Sequence, residues 1–501
     1  MKKEITFILF ITFFILTSIS TIQAQVDTLW SKTFGGIQSD LGYSVQQTTD
    51  SGYIIAGATK SFGAGSFDVW LIKTDASGNI LWTKTTGGSD IDIAYSVKQT
   101  TDGGYIIAGK AESFSTGDSD VWLIKTDASG STLWTKIFGG VEDEYAYSVD
   151  QTSDGGYIIT GAKRIDPNPP YYSDIWLIKT NASGDTAWSK TFGTFLSDVG
   201  YFVQQTSDGG YFVLGYSSAV GTDFVWLIKT DAYGDTLWTK RFDGGVLQDA
   251  VSSAQQTSDG GYIITGITNS FGAGEADVWL IKTDAYGDTL WTKTFGGIES
   301  DGAFSVQQTT DGGYIIAGWT ISYAVGNYDV WLIKTNAYGD TLWTKNFGGI
   351  NEDRAYSVQQ TADGGYIVAG WTSSFGAGSF DVWLIKVAPV ISNVESNTDI
   401  IPSDFSLSQN FPNPFNPSTT ISWQSPVGSW QTLKVFDVLG NEVATLVDEY
   451  KPAGTYEVEF NSHSGSVLNL PAGRQGLTSG IYLYRLQAGS FIDTKKMILL
   501  K

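Results

Sequence analysis

The 501-residue chain contains no cysteine, one histidine (His463) and two methionines, and its 30 basic residues face 52 acidic ones. Without cysteine there are no disulfides, thiolate nucleophiles or cysteine-bound metal centres. With imidazole confined to position 463, nothing before it offers histidine acid–base chemistry or histidine metal ligation. A formal charge of −22 leaves no basic field to displace counterions from a phosphate backbone, which excludes nucleic acid as the partner. Helical spacing of apolar residues is missing throughout, and no segment after the first 24 residues is apolar enough to cross a bilayer.

What is present is organised by repetition. Residues 1–24, MKKEITFILFITFFILTSISTIQA, put Lys2 and Lys3 before a short apolar run and a small-residue end, the pattern of a secretory signal cleaved after Ala24. The tryptophans of an LW[TS]K segment then recur at 30, 82, 134, 188, 238, 291 and 343. A second series in a [VI]WLIK segment falls at 70, 122, 176, 226, 279, 331 and 383. Each unit holds four short runs rich in β-branched and aromatic residues, such as LWSKTF, YSVQQT, YIIAGAT and DVWLIKT, separated by turn residues. The TSDGGYIITG turn at Thr152 has counterparts in all seven units, and its Asp-Gly-Gly step suits a tight hairpin.

Four-stranded units of this length, repeated seven times, close radially into a β-propeller, and packing on both faces of each sheet accounts for the unbroken apolar VWLI run. After the last DVWLIK segment (381–386) no eighth LW[TS]K copy follows. The strand around Trp30 is therefore expected to complete the blade that begins near Tyr356. The units resemble the bacterial β-propeller repeat over residues 28–387, in its W-x-K-x-F-G-G and G-x-I-x-x-G features.

Spacing inside the repeat separates the two rims. Tyr43 to Tyr53, Tyr356 to Tyr366, and the distance between the two tryptophan series are constant. Those hairpins carry Asp50 and its counterparts. By contrast Tyr157 to Trp176 spans 19 residues and Tyr211 to Trp226 spans 15, where the other units have 17. Insertions in repeat folds gather on one face, often the binding face. Arg164, Tyr171, Tyr172, Tyr216, Trp319 and Trp371 are the candidate ligand-binding residues there, with the alternative that their aromatics pack on neighbouring blades.

The same rim holds Asp40, Asp92, Glu144, Asp198, Asp249, Asp301 and Asp353, one per unit. A ring of seven carboxylates would suit calcium through oxygen ligands. Alternatively, each accepts hydrogen bonds from its own turn, which the symmetry favours. No other cofactor is indicated. Lys73 and its six WLIK counterparts form either a cationic ring or stems packed along the blades with paired heads. The T-x-D-G-G turn loosely resembles the sialidase Asp-box but lacks its tryptophan and repeats in every unit, which makes it structural.

Beyond a polar linker at 389–404 the composition shifts. Residues 405–501 show short alternating strands, a small β-sandwich by pattern. Pro412, Asn413 and Pro414, then Gly440 with Val443, then Gly480, Ile481 and Tyr482, and finally Lys495, Lys496 and Met497 closely resemble the type A sorting domain of the type IX secretion system. That resemblance implies an immunoglobulin-like fold, export through the periplasm, and recognition by the outer-membrane translocon of a Gram-negative bacterium. The LNLPAGRQG stretch departs from the family by an insertion near His463.

The expected architecture is all-β: a seven-bladed propeller of four-stranded blades over 25–388, then an immunoglobulin-like sandwich. The expected function is a secreted or cell-surface binding or scaffold protein whose ligand is a glycan or a protein. A carbohydrate-active enzyme, glycoside hydrolase or lyase, on the same scaffold is the alternative. No unit shows a singular cluster of acid, arginine and tyrosine, so no catalytic residue is assigned and the enzyme question stays open, with binding favoured.

Overall fold

The computed structural model describes residues 27–165, 172–194, 197–218, 224–243, 249–389, 404–451, 453–462 and 476–500. Contacts divide the chain into two units, Met1–Val390 and Ile391–Lys501.

The first unit is a seven-bladed β-propeller. Blade 1 orders its strands Asp40–Gln47, Tyr53–Thr59, Asp68–Thr74 and Ile80–Thr86 from the axis outward, all antiparallel. Five further blades repeat this order. The seventh takes its first three strands from Asp353–Gln360, Tyr366–Thr372 and Asp381–Val387 and its outermost from Thr28–Phe34. Trp30 lies opposite Lys386, Lys32 opposite Leu384 and Phe34 opposite Val382, so the two ends of the repeat array are zipped in one sheet.

The composition of each strand follows its place in the blade. In blade 1 the second and third strands are buried along their whole length, hence YIIAGAT and DVWLIKT without alternation. Outermost strands alternate exposed and half-buried positions. Between blades 1 and 2, Ile54, Ala56, Val69 and Leu71 pack on Ala94, Val97, Tyr105 and Trp122. The closing seam between blades 7 and 1 is built alike, from Phe34, Val45, Tyr53 and Ile55 against Ile367, Ala369, Val382 and Leu384. The larger of these side chains each contribute roughly 1.5–3 kcal/mol by leaving water, the alanines less.

Polar links run around the ring as well. In every blade the glutamine ending the first strand accepts, through Oε1, a backbone N–H of the preceding blade's turn: Thr49 donates to Gln99, Thr101 to Gln151, and at the closing seam Ala362 donates to Gln47 at 2.8 Å. The Asp-Gly-Gly turns show why two glycines are used. The first adopts positive φ, 83° at Gly103, with Ser51 (φ 65°) the exception in blade 1. The second permits close approach, since a Cβ on Gly104 would overlap the Thr126 carbonyl and stand 2.6 Å from Lys125 Nζ.

The second unit is a two-sheet sandwich. One sheet contains Ser406–Leu407, Ser418–Ser425 and Gly454–Asn461; the other contains Glu442–Lys451, Ser429–Phe436, Gly480–Ala488 and Phe491–Leu499. Trp423, Phe415, Phe460, Tyr484 and Met497 lie in its core. Asn413 Oδ1 accepts the Ile498 N–H at 2.9 Å, and the carbonyl of Pro412 accepts from Thr419 Oγ1 at 2.8 Å, which fixes the Pro-Asn-Pro segment against the last strand. Gly440 turns the chain with φ 87°, and buried Tyr482 donates to the Thr478 carbonyl. Lys495 is half-buried, while Lys496 and Gly480 are exposed. His463 and most of the LNLPAGRQG insertion lie outside the described residues. Among those residues no helix is long and apolar enough to cross a membrane.

Candidate binding rim

Both ends of the first strand matter for the site. Its start, with the loop between second and third strands and the crossover from the previous blade, forms the length-variable rim. Its end and the two constant hairpins form the other.

On the variable rim, the described residues among those read from sequence are engaged within the fold. Arg164 is held by ion pairs to Asp143 (2.7 Å) and Glu142 (3.6 Å). Tyr172 accepts the Ile165 N–H through its carbonyl, and Tyr216 is half-buried against the blade 4–5 core. Tyr171 lies outside the described residues. Trp319 and Trp371 are 7 % exposed and offer no free face. The Arg354 guanidinium lies between them, 5.4 Å and 5.6 Å from their rings and 4.1 Å from Tyr328, while Phe380 packs edge-on to Trp371 at 4.6 Å. The expectation of two exposed stacking tryptophans is corrected accordingly: a cation from the same chain already fills their box.

The carboxylates also find their partners locally. Asp40 accepts the Gly36 N–H (2.8 Å), the Ser61 hydroxyl (2.7 Å), the Lys60 and Ser61 N–H groups and the Thr59 hydroxyl. Asp301 and Asp353 bond the equivalent glycine, serine and threonine. Asp92, Glu144 and Asp198 cap the equivalent crossover N–H groups of Gly88, Gly140 and Thr194, and Asp249 accepts from the Asn269 and Ser270 N–H groups. Among the described residues no group of three or more His, Asp or Glu could hold a metal ion. The calcium-ring geometry is thereby corrected: these oxygens cap turns of their own blades instead of converging on the axis.

A second acid ring escaped the sequence reading. Asp68, Asp120, Asp277, Asp329 and Asp381 open third strands and each faces the first-strand acid of the next blade across the crossover glycine, while Asp174, second in its strand, lies against Gly193 and feels Asp198. A Cβ on Gly296 would overlap Asp277 Oδ1 and stand 2.8 Å from Asp301 Oδ2. Oδ1 of Asp120, Asp277, Asp329 and Asp381 has no hydrogen-bond partner among the described residues. Burial, then the neighbouring acid Asp120, pushes Glu144 up to about 7, and burial with an adjacent acid also raises Asp174, Asp277 and Asp329. The signal was available in the chain: blade 4 has Phe224 where the others have this aspartate, and the following crossover has Asp243 where the others have glycine. Glycine is required only where the strand aspartate is present.

The lysines pair on the opposite rim. Lys73, Lys125, Lys179, Lys229, Lys282, Lys334 and Lys386 are almost wholly buried and each meets the turn aspartate of its blade at 2.8–3.0 Å. Burial tends to raise Asp102, Asp154 and Asp208, but hydrogen bonds from lysine, threonine and a backbone N–H prevail and hold them at about 2.

What the variable rim does expose is apolar. Ile37, Val141, Ile298, Val325 and Ile350 are 75–83 % exposed. Phe62, Phe271, Tyr323 and Phe375 lean on buried tryptophans beneath them at 5.3–5.9 Å while keeping about half their surface in water. The recurring G-G-I and S-F-G-A-G segments carried that signal.

Comparison with known proteins adds little for the propeller. The chain is 24 % identical over 203 residues to the regulatory protein FlaEY of Caulobacter vibrioides, and the match covers 34 % of this chain and about a fifth of the relative. Among solved structures, a puromycin hydrolase (10 % identity, TM-score 0.46) is covered over 61 % of its length by 78 % of this chain. A polysaccharide lyase, an ulvan lyase (10 % identity, TM-score 0.46), is covered over 94 % by 70 % of this chain. At these levels no activity follows for this chain. The C-terminal unit is different, because residues 409–500 match the secretion system C-terminal sorting domain, and the chain therefore carries a domain of that family as its export signal.

Proposed function

We propose that the protein is a secreted or surface-displayed binding module, delivered by the type IX machinery through its sorting domain, whose variable rim contacts an extracellular protein or glycan. One observation carries this reading. From blade 5 through blades 6 and 7 to blade 1 the rim presents Phe271, Ile298, Tyr323, Ile350, Phe375 and Ile37 at successive positions, an apolar arc on a surface otherwise rich in acids. Exposed apolar side chains grouped on one face and rimmed by polar residues mark interaction sites. The repeated charged groups point the same way, since acids and lysines alike are engaged in turns and ion pairs repeated around the ring.

The test is a triple variant, Ile37→Ser, Ile298→Ser and Ile350→Ser, compared with the wild-type protein on a glycan array and in crosslinking to outer-surface proteins of the producing cell. Binding present in the wild type and reduced at least tenfold in the variant is expected. Sustained polysaccharide turnover, abolished by replacing a rim carboxylate, would overturn the binding reading in favour of an enzyme.

A further inference from the structure

The first strand of every blade carries a bulge that leaves one residue outside the ladder and directs it to the axis; in blade 1 it is Tyr43, between the pairs Gly42–Gly57 and Ser44–Ala56. Five blades have tyrosine there and blade 6 has Phe304, so aromatic rings follow one another at 4.5–5.3 Å from Phe304 through Tyr356, Tyr43, Tyr95 and Tyr147 to Tyr201. Blade 5 breaks the series with Ser252. Of these, Tyr95, Tyr147, Tyr201, Ser252, Phe304 and Tyr356 line a cavity of about 290 Å³ on the axis.

Three residues further along the strand, the wall is made of glutamines in five blades and of Lys98 and Asp150 in blades 2 and 3. The Oε1 of Gln46 accepts the Gln99 N–H of the next blade at 2.6 Å, and Gln204, Gln255, Gln307 and Gln359 do the same at 2.6–3.0 Å. A planar amide whose oxygen is fixed on the wall must turn its NH₂ away from it. Those five NH₂ groups have no hydrogen-bond partner among the described residues, and Lys98 makes no ion pair there. Lysine cannot accept a hydrogen bond, so the substitution at position 98 removes a wall contact that the repeat otherwise keeps. The level is consequently rich in donors, with Asp150 the one carboxylate among the seven positions. Burial raises that carboxyl, while the charge of Lys98 and the Gln151 and Gln205 N–H groups pull it back.

We propose that this channel binds a small hydroxylated organic anion of the sugar-acid class, with its carboxylate on Lys98 and the glutamine amides, a hydroxyl on Asp150, and its ring against the tyrosines. The donor ring selects the negative group. The aromatic collar suits a pyranose face, and Ser252 leaves room at blade 5.

The test is calorimetric titration of the full chain with D-galacturonate, with galactose as the neutral arm and inorganic phosphate as the bare-anion arm. Galacturonate is expected to bind, and Lys98→Gln, which installs the residue of five other blades, is expected to weaken it about tenfold or more with melting temperature unchanged or raised. Lys98→Met should give the same loss should the glutamine variant misfold. Equal galacturonate affinity in wild type and variants would overturn the proposal. So would an absence of binding at about 50 mM, phosphate binding without galacturonate binding, or galactose binding as tightly as its acid.

Discussion

The two rims of the propeller each carry a repeated acid on every blade, yet Asp102, Asp154 and Asp208 on one and Glu144 on the other are pushed in opposite directions. At the constant rim, Asp102 and its equivalents sit beside a buried lysine ammonium and are drawn down to about 2 in three blades. At the variable rim, Glu144 faces Asp120 across a glycine, and burial with that acid pushes it up to about 7 against the pull of the Gly140 N–H and of Lys163. Residue type alone does not set charge state; burial and the partners that the fold brings beside the carboxylate do. The constant rim thus works as a set of ion-paired clamps. The variable rim packs acid against acid, and only a side chain no larger than hydrogen fits between.

The comparison is broken most severely at that glycine. Gly296→Ala should destabilise the propeller by about 3 kcal/mol, because the new Cβ would overlap Asp277 Oδ1. Adding Asp277→Ala should recover most of the loss, as measured by urea unfolding. Independent, additive effects would show that the acid pair does not set the glycine requirement.

At the constant rim the smaller effect depends on which partner is removed. Asp102→Ala strands a buried ammonium and should cost about 1–2 kcal/mol, moderated by the remaining bond from Lys125 to the Thr126 carbonyl. Lys125→Met leaves a half-exposed carboxylate that water can solvate and should cost less than Asp102→Ala. The reverse order would mean that the lysine stem, and not its charge, holds the hairpin.

The last effect is read along the pH axis, where Asp102 and Glu144 should slope in opposite directions. Asp102 is depressed from 3.8 to about 2, so its stabilisation is complete above 3.8 and is lost as pH falls through 2. Glu144 is raised from 4.5 to about 7, so its favourable contribution is complete below 4.5 and is lost as pH rises through 7. Glu144→Gln should remove about 1–2 kcal/mol of that upper-limb loss, flattening melting temperature between pH 5 and pH 8. Asp102→Asn should instead flatten the limb below pH 4. Identical profiles in both variants and the wild type would erase the distinction between the rims.

Much of the propeller could be read before any coordinates. The tryptophan series, the constant hairpins and the missing eighth LW[TS]K copy together implied seven blades and a seam closed by the strand around Trp30, because strand chemistry and turn chemistry are local and repetition multiplies their signal. The candidate rim was less legible. Trp319 and Trp371 end YI[IV]AG strands just where the variable loops begin, and nothing local says that Arg354, from the neighbouring first strand, and Phe380, from across the loop, fold over them. The Asp68 ring was equally hidden, since its importance lies in facing a different blade.

Sequence by itself determined the strands, the sevenfold count, the export domain and the rim on which loop length varies, since each rests on residues adjacent in the chain or repeated along it. Tertiary structure alone decided which acids share a seam, which aromatics remain in water, and which donors point to the axis. Those properties arise where neighbouring blades meet, some fifty residues apart along the chain, and no local preference encodes the distance between them.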